Sequence, residues 1–431
     1  MKIIIISRSP WRLDNSFGNT YSSIFRDMEN VEIANIYLAD GSPEYEENVK
    51  AYYQVSEKEL IYLLKHPFSK RKVGKLAFAE DSSLSSKEID STYLAVGKKK
   101  RWPLMFLVRE FLWKFGKVNY CGIDKFVEDF KPDIIFLPYY YAVYVYRIAL
   151  YIQNKYNLPM TGEAALDIYS LKQLSFDPIY WLNRFWIRSW IRKTARRSAS
   201  LYLISEKMQK DYFKFLKIPC KVLYKIPDFS RKQSEYTKVG NPVRFLYTGN
   251  LGAKRWKTLS LLAKALKRNN WGHLDIFSAT PITNTISAAL NVEGFSEIHP
   301  PVSQYEVTKL QNDTDVLVHT ESFDLSSKLL VRYSISTKIM DYLCMGRAIL
   351  GIGPKDIASI EYLRDNDVAM VATSQKEIDE LIEQLKNNPN KVLEYSNKGL
   401  TFAMTQMNAK EMKLSLYNDM QEIIDSHVKG L

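Results

Sequence analysis

The segment YSISTKIMDYLCMGRAILGIGP, residues 333–354, places hydroxyl side chains directly before a basic and an acidic residue. Ser336 and Thr337 lie where a helix is predicted to begin, so their hydroxyls can cap free backbone amides or donate to a phosphate. Lys338 and Asp341 share one face of that helix, and a carboxylate one turn beyond a phosphate site is well placed to bind ribose hydroxyls. An N-cap followed by an intrahelical ion pair is the alternative interpretation.

A second segment with phosphate-binding character is VRFLYTGNLGAKRWKTLSLLAKAL, residues 243–266. Gly249 follows a predicted strand, and a residue without a side chain lets the backbone approach a ligand closely. Lys254 and Arg255 come at the start of the next helix, where cations and helix N-terminal amides suit a diphosphate. An ordinary βα turn with solvated basic residues explains this segment equally well.

Basic and aromatic residues alternate in YWLNRFWIRSWIRKTARR, residues 180–197. A helix with a stripe of cations beside bulky aromatics suits the interface of an anionic membrane, and KKKRWPLMFLVREFLWKF at 98–115 repeats the theme. A core helix with a basic outer face is the alternative. The residues predicted to meet the membrane or a lipid-borne acceptor are Trp181, Arg184, Trp186, Arg188, Trp190 and Arg192.

The elements that must position these residues are short apolar strands alternating with longer helical patterns, which indicates βαβ units and parallel sheets. The predicted strands are KIIIIS, VEIANIYL, DIIFLP, ASLYLIS and CKVLY in the first half, and VRFLYTG, HLDIFSA, DVLVHTE, AILGIG and VAMVAT in the second. Residues from about 40 to 100, with the Ser-rich AEDSSLSSKEIDS, fit a surface insertion better than a core element, and no element is assigned there.

The 431 residues are too many for one ordinary core. We predict an α/β protein of two doubly wound, Rossmann-like parallel-sheet domains facing a central cleft. The predicted divisions are an acceptor-binding, membrane-facing domain at 1–225, a polar linker at 226–242, a donor-binding domain at 243–408, and a C-terminal helix at 409–431 that packs back on the first domain.

The composition limits the classes of binding partner and the cellular compartment that fit this chain. A net charge of +12 favours nucleic acid, anionic lipid or phosphorylated small molecules. The three cysteines lack metal or disulfide spacing, which fits a reducing cytoplasm. The apolar run in MKIIIISRSP is too short for a signal peptide, and no run is long enough to span a bilayer, so any membrane contact is expected to be peripheral.

Three motifs in order resemble the donor half of GT-B glycosyltransferases, specifically the large retaining GT4-like family that builds bacterial surface polysaccharides. They are YTGNLGAKR, HPPVSQYEVTKLQNDTDVLVHTESFD and SISTKIMDYLCMGRAILGIGPKDIASIEYL, and the resemblance covers roughly residues 200–425. It implies metal-independent, retaining transfer of a hexose from a nucleotide-diphosphate sugar to a polyprenyl-diphosphate-linked oligosaccharide, in capsule, O-antigen or exopolysaccharide synthesis. The implied location is the cytoplasmic face of the cell membrane, with no cofactor besides the nucleotide sugar.

The resemblance also assigns roles to single residues in the second half. Arg255 matches the family's basic residue on the donor diphosphate, with Lys254 as its helper, whereas Asn250 stands where many members carry an arginine. Asp341 matches the second, ribose-binding member of a glutamate pair. Tyr333 occupies the place of the first member, and the candidate to supply a carboxylate instead is Glu321.

In the first half, SPWRLDNSFGNT follows the first strand, where open α/β sheets bind ligands. The resemblance places a glycine-bearing loop here against the donor phosphate, which makes Gly18 a donor-site candidate, although a plain loop fits nearly as well. In LPMTGEAALDIYS, near Glu163, the family often carries a His or Asp facing the reacting sugars. Asp167 is therefore the candidate catalytic or orienting carboxylate, and a helix-capping acid is the alternative.

Asp313 and Asp315 in NDTDVL spell the DxD that other glycosyltransferases use to hold a metal. In this context Asp315 opens a buried strand, so we interpret it as structural and predict no metal site.

Two other functions are compatible with the sequence. A nucleotide-sugar 2-epimerase shares the GT-B architecture, but its soluble substrate leaves two basic-aromatic helices without a use. A non-catalytic basic protein that binds a membrane or nucleic acid is permitted by the net charge. Since no RRM, zinc-finger or helix-turn-helix signature is present, we predict no nucleic-acid partner.

Overall fold

The computed structural model describes residues 1–79, 103–232 and 234–430. They form two compact units, unit 1 (Met1–Leu223 with Lys413–Leu431) and unit 2 (Tyr224–Met412). The Ser-rich stretch at 79–91 lies, except for Ala79, outside the described residues, as does the basic run at 98–101.

Unit 1 is built on an eight-stranded sheet in the order β4-β3-β2-β1-β5-β6-β7-β8, parallel throughout except for the edge pair β3 and β4. The strands are β1 Lys2–Ser7, β2 Glu32–Tyr37, β3 Val49–Gln54, β4 Lys75–Ala77, β5 Ile134–Pro138, β6 Met160–Ala164, β7 Ser200–Leu203 and β8 Cys220–Val222. The helices are α1 Ser16–Phe25, α2 Glu57–Lys65, α3 Pro103–Phe115, α4 Tyr120–Phe130, α5 Val143–Tyr156, α6 Pro178–Ala195 and α7 Glu206–Leu216. The strand order reverses between β1 and β5, where doubly wound sheets bind ligands.

Unit 2 is built on a six-stranded, all-parallel sheet in the order β11-β10-β9-β12-β13-β14. The strands are β9 Arg244–Thr248, β10 His273–Phe277, β11 Ser296–His299, β12 Val316–Thr320, β13 Ala348–Ile352 and β14 Met370–Ala372. The helices are α8 Arg255–Asn269, α9 Asn284–Leu290, α10 Gln304–Asn312, α11 Leu325–Val331, α12 Thr337–Met345, α13 Ala358–Asp365, α14 Gln375–Asn387 and α15 Asn390–Gln406, and a 3-10 turn spans Phe229–Arg231. Here the order reverses between β9 and β12.

The central strands are buried on both faces, which is why their apolar runs predicted them correctly. Ile3 to Ile6 of β1 are fully buried, as are Phe245 of β9 and Val316 of β12. A parallel strand covered by helices on both faces needs apolar side chains on both, so its sequence is continuously hydrophobic.

Strands β3 and β11, near the sheet edges, were not predicted from the sequence. β3 lies inside the region where no element was assigned, and that region is therefore not all insertion, because β3 pairs along β2 with four of its six residues buried or nearly so. Its sequence, VKAYYQ, contains an exposed Lys50 and lacks the apolar run of a central strand. β11, with the sequence SEIH, was missed for the same reason.

Helix α16, Ala409–Lys429, runs from the last residues of unit 2 into unit 1. Its Asp419 accepts a hydrogen bond from Tyr202 Oη at 3.2 Å and pairs with Lys221 Nζ at 2.6 Å. These contacts attach the helix to β7 and β8 of unit 1.

Asp315 has a structural role in unit 2. Its carboxylate accepts hydrogen bonds from Tyr236 Oη at 2.8 Å and from the backbone N–H groups of Gly240 at 2.9 Å and Arg244 at 2.7 Å. It therefore fastens the polar segment before β9 to the start of β12.

Candidate functional site

The carboxyl ends of β9 and β12, at the order reversal of unit 2, bring together residues far apart in sequence. Arg255 is the first residue of α8, and Glu321 follows β12 directly. Two hydrogen bonds of 2.9 Å join the Arg255 guanidinium to the two carboxylate oxygens of Glu321. Burial raises the pKa of Glu321, and the charge of Arg255 opposes that rise. The two hydrogen bonds fix the plane of the Arg255 guanidinium at the carboxyl edge of the sheet, and Glu321 balances its charge.

Lys338, in the first turn of α12, reaches the same place. Its Nζ donates a hydrogen bond to the carbonyl oxygen of Thr248, the last residue of β9. A Cβ on Gly249 would lie 2.1 Å from this ammonium group, so the glycine is required for Lys338 to enter. Burial and the charge of Arg255 lower the Lys338 pKa to about 8. An ammonium group has three N–H donors, so two remain for a ligand.

His319 of β12 adds a third basic group. It is buried, and within the described chain its Nε2 has no hydrogen-bond partner. Burial, followed by the charges of Arg255 and Lys338, lowers its pKa to about 3, so the ring is neutral at physiological pH. Burial is the main cause of both lowered pKa values, and the charge of Arg255 adds to both.

The N-terminus of α12 faces the ligand side of this arrangement without a side-chain cap. Ser336 is the N-cap residue, and its hydroxyl makes no capping hydrogen bond; Thr337 begins the helix. Uncapped N-terminal amides together with nearby cations form a site suited to phosphate.

The other two donor-loop candidates point elsewhere. Lys254 lies in the left-handed region at φ +58°, and its Nζ pairs with Asp324 at 3.1 Å, alongside Lys257 at 3.3 Å. The Asn250 side chain accepts a hydrogen bond from the Gly252 backbone N–H. Both residues shape the loop between β9 and α8.

Asp341 has a partner that sequence reasoning missed. Lys225 Nζ donates to both of its carboxylate oxygens, at 2.7 and 2.9 Å, and the two side chains are almost fully buried. Lys225 lies just beyond β8 in an otherwise apolar and proline-bearing stretch, and only its isolation there could have signalled a buried charge. The role of Asp341 in ribose binding stays a prediction, with Lys225 fixing its position.

The two candidate site residues of unit 1, Gly18 and Asp167, make contacts with neighbouring residues of the chain. The Gly18 N–H donates to the Asn15 side chain at 2.9 Å, and a Cβ at Gly18 would lie 2.1 Å from the backbone oxygen of Arg12. Asp167 accepts hydrogen bonds from the N–H and hydroxyl of Ser170, at 2.9 and 2.5 Å. These are the contacts of a close helix approach and of a turn cap, and the roles in donor binding and catalysis stay predictions.

The arginine stripe of α6 differs from the expected row of surface cations. Arg184 is buried and donates to the carbonyl oxygens of Asp167 at 3.1 Å and Ser170 at 2.9 Å. The Arg188 guanidinium lies 4.1 Å from the ring centroid of Tyr169, and Arg192 donates to the hydroxyl of that residue. The stripe faces the 167–170 turn because guanidinium groups satisfy its carbonyl oxygens.

The aromatic residues of α6 are partly covered. Trp181 Nε1 donates to the carbonyl oxygen of Ser175 at 2.9 Å. Trp186 packs edge-on against Phe106 of α3, and Trp190 lies beneath Lys193, whose Nζ is 5.0 Å from its ring. Neither the arginines nor the tryptophans of α6 form the fully exposed row that the sequence pattern predicted.

An exposed apolar surface does exist on α3 and α6, which pack together through Asn183 and the Pro103 carbonyl oxygen at 2.6 Å. Its side chains are all roughly half exposed, and we call it the α3–α6 apolar face. It consists of Leu104, Val108, Phe111, Phe115, Leu182 and Phe185. Four of the six recur at helical spacing along α3. Large apolar side chains exposed in such number on two packed helices are typical of interaction surfaces. In the described part of the chain, no helix combines the length and apolarity needed to cross a bilayer.

No protein-family model and no curated protein matches this chain. Solved structures do match over nearly the whole of both chains. Anabaena Alr3699/HepE in complex with UDP aligns with a TM-score of 0.63 at 12% identity, covering 98% of this chain and 100% of that one. Sucrose-phosphate synthase from Thermosynechococcus elongatus aligns at 0.64 and 7%, covering 99% of each. A UDP-forming α,α-trehalose-phosphate synthase from Burkholderia xenovorans aligns at 0.57 and 10%, covering 98% and 99%.

At such low identity the likeness establishes the fold alone. The chain has the GT-B fold, and the predicted fold class is confirmed.

Proposed function

We propose that this protein is a glycosyltransferase whose sugar donor is a nucleotide-diphosphate sugar bound by unit 2. The observation that carries the proposal is the group of Arg255, Lys338 and His319 around the uncapped N-terminus of α12. Burial, followed by the charge of Arg255, lowers the pKa of His319 and of Lys338, and a bound anion would counter both effects. The UDP complex of a protein with the same fold supports a nucleoside diphosphate as the anion that this site binds.

In the proposed reaction the donor diphosphate is the leaving group. Arg255, oriented by Glu321, and the ammonium group of Lys338 stabilise the charge that develops on it as the bond to the sugar breaks. These groups are already aligned, so little reorganisation is needed at the transition state. Because they supply the positive charge, we propose metal-independent transfer. Retention of the sugar's configuration follows the family that the motifs resemble.

The proposed acceptor is a lipid-linked oligosaccharide of the polyprenyl diphosphate type, used in bacterial surface polysaccharide synthesis. The α3–α6 apolar face supports peripheral binding to the inner face of an anionic membrane. Lys114 and Lys193 are exposed on the same two helices, and each cation near an anionic leaflet adds about 1 kcal/mol of attraction. The lipid contact would then be made by the apolar face, with basic residues beside it.

Donor binding is the first test. Ligand-detected NMR of the full chain against UDP-, GDP- and dTDP-sugars should show selective binding of one nucleotide. Arg255→Ala should weaken that binding by roughly 10- to 100-fold, because a charge-assisted bidentate contact is lost.

Arg268→Ala is the matched control. Arg268 lies in the last turn of the same helix and pairs with Asp379 on the surface, so its loss removes equal charge far from the site. It should leave donor affinity unchanged. A folded wild-type protein that binds none of the donors would refute the proposed function.

Membrane binding is tested by flotation with vesicles of phosphatidylglycerol and phosphatidylcholine. Phe185→Ser should reduce the bound fraction several-fold, because this phenylalanine is 56% exposed on the apolar face. Phe213→Ser is the control, since Phe213 of α7 is equally exposed, at 57%, but lies outside that face. Equal loss in both variants, or binding to nucleic acid in place of vesicles, would contradict the membrane proposal.

A further inference from the structure

Unit 1 also has basic and hydroxyl groups at the point where its strand order reverses. Arg8 follows β1 and Tyr140 follows β5, the two strands that flank the reversal. Helix α5, which carries Tyr144 in its first turn, packs against β1. Because β1 and β5 pair in parallel, Arg8 and Tyr140 lie at the same edge of the sheet. Burial raises the pKa of Tyr140 and of Tyr144, and the charge of Arg8 opposes that rise in both.

The guanidinium of Arg8 is partly buried and has no hydrogen-bond or ion-pair partner within the described residues. Nearby arginines of unit 1 are paired, Arg109 with Glu57 at 2.5 Å and Arg147 with Glu110 at 3.0 Å. Glu163, at the end of β6, bonds to Tyr21 Oη at 2.6 Å instead. Arg8 is thus a cation without a protein counter-charge at a ligand-binding edge.

The hydroxyl of Tyr144 is a second unsatisfied group. It is buried and, in the described chain, has no hydrogen-bond partner. Its ring is stacked on Trp113 at a centroid distance of 4.3 Å and an angle of 7°, and the Arg109 guanidinium lies 5.4 Å from its centroid. These contacts hold the ring in place, and its hydroxyl oxygen is shielded from water. A buried O–H without a partner is unfavourable, and a ligand oxygen that accepts its hydrogen bond would recover that loss.

We propose that Arg8 and the Tyr144 hydroxyl bind a phosphate group carried by the acceptor. This inference rests on the proposed function and names the acceptor's recognition chemistry. A phosphate offers several acceptor oxygens, which suits a guanidinium fork and a phenol that both donate.

The neighbouring surface favours a lipid as the carrier of that phosphate. The ring of Tyr141, beside Tyr140, packs at 4.9 Å on Phe106 of α3, which in turn contacts Trp186 of α6. Apolar side chains therefore extend from the phosphate-binding groups to the helices of the α3–α6 apolar face. A prenyl chain joined to a phosphate matches this arrangement, in which polar groups are followed by apolar ones.

The test uses farnesyl diphosphate as the probe, with farnesol and UDP as comparison ligands, and isothermal titration of the full chain. Arg8→Gln should weaken farnesyl diphosphate binding by about 10- to 100-fold, and Tyr144→Phe by about 3- to 10-fold. Neither change should alter binding of farnesol, which lacks the phosphates. Since the Tyr144 hydroxyl has no partner, Tyr144→Phe should not lower the melting temperature, which separates a binding role from a structural one.

Arg71→Gln is the matched control, because Arg71 is an exposed arginine of the same unit that pairs with Glu59. It should bind farnesyl diphosphate as the wild type does. Unchanged affinity in Arg8→Gln, or no binding by the wild type, would overturn the inference. UDP separates the two sources of phosphate, since loss of UDP binding in Arg8→Gln would assign Arg8 to the donor and overturn the acceptor role. A wild type that binds farnesyl diphosphate but no nucleotide would refute the proposed function and leave this site standing.

Discussion

The two sheets reverse their strand order in the same way, but the charges at the two reversal points are balanced differently. In unit 2, Arg255 is held by Glu321 through two hydrogen bonds, and Lys338 is fixed on a backbone carbonyl. In unit 1, Arg8 has no carboxylate partner among the described residues, and Glu163 is occupied by Tyr21. The first site has its geometry set by protein contacts, whereas the second leaves its charge to be balanced by a ligand.

This difference has a functional meaning under the proposed reaction. Groups that stabilise a transition state work best when they are already oriented, as Arg255 is. An unpaired, partly buried cation gains more from a ligand that brings the counter-charge, which favours recognition of an acceptor group. Each of the following predictions disturbs one side of this comparison.

The largest effect is expected from Gly249→Ala. The added Cβ would meet Lys338 Nζ at 2.1 Å and push the ammonium group off the Thr248 carbonyl. Donor affinity, measured by isothermal titration, should fall by roughly 100-fold, because one cation is displaced from the site.

Gly252→Ala is the control in the same loop. Its Cβ would meet the Asn250 Oδ1 atom at 2.6 Å, the end of a side chain that can turn away. We expect donor affinity within about threefold of wild type. Equal losses in the two variants would show that the loop, and not the position of Lys338, decides binding.

A smaller effect is expected from pH. Burial and Arg255 lower the Lys338 pKa to about 8, so this cation loses its proton as the pH rises through that value. If the protonated form binds the diphosphate, donor affinity should fall about tenfold between pH 7 and pH 9. Arg255, Glu321 and Asp341 also face Lys338, and the Arg255 guanidinium stays protonated across this range.

Lys338→Arg sharpens the pH prediction, because a guanidinium stays protonated over the whole range. The variant should show a nearly flat affinity profile from pH 7 to 9, even where its absolute affinity is reduced. A profile as steep as that of the wild type would place the titrating group elsewhere.

The smallest effect concerns unit 1. Burial raises the Glu163 pKa to about 7, against the hydrogen bond from Tyr21. The folded state therefore holds a proton that the unfolded state releases near pH 4.5, and stability from this group is lost as the pH rises through 7. Glu163→Gln keeps an acceptor for Tyr21 and removes the charge. Urea unfolding should show it more stable than wild type at pH 8 by about 1 kcal/mol, with the difference absent at pH 4.5.

Glu110 has a pKa raised in the same direction by burial, so the comparison is made between variant and wild type at each pH. Parallel stability curves for the two proteins would mean that Glu163 ionises normally in the folded state.

Sequence patterns were sufficient for the fold where strands are buried on both faces. The apolar runs of β1, β5, β9 and β12 and the glycine-bearing loop after β9 led to two doubly wound units and the confirmed fold class. Edge strands such as β11 were not predicted, because one side of them meets solvent and their residues form no continuous apolar run.

Only part of the candidate site could be predicted from the sequence. Arg255, Glu321 and Lys338 were each singled out, but their mutual contacts depend on the sheet order, which no local pattern encodes. Arg184 was expected at the surface because its spacing matches a stripe, yet its guanidinium is buried against carbonyl oxygens. Lys225 and His319 were missed because single basic residues beside apolar ones carry no periodic signal.

Helix α16 has a consequence for how the chain is made. It completes unit 1 through the contacts of Asp419 with Lys221 and Tyr202, although all of unit 2 precedes it in the sequence. On the ribosome, residues 224–412 emerge before these contacts are able to form. Unit 2 can therefore fold before helix α16 has been synthesised and has packed on unit 1.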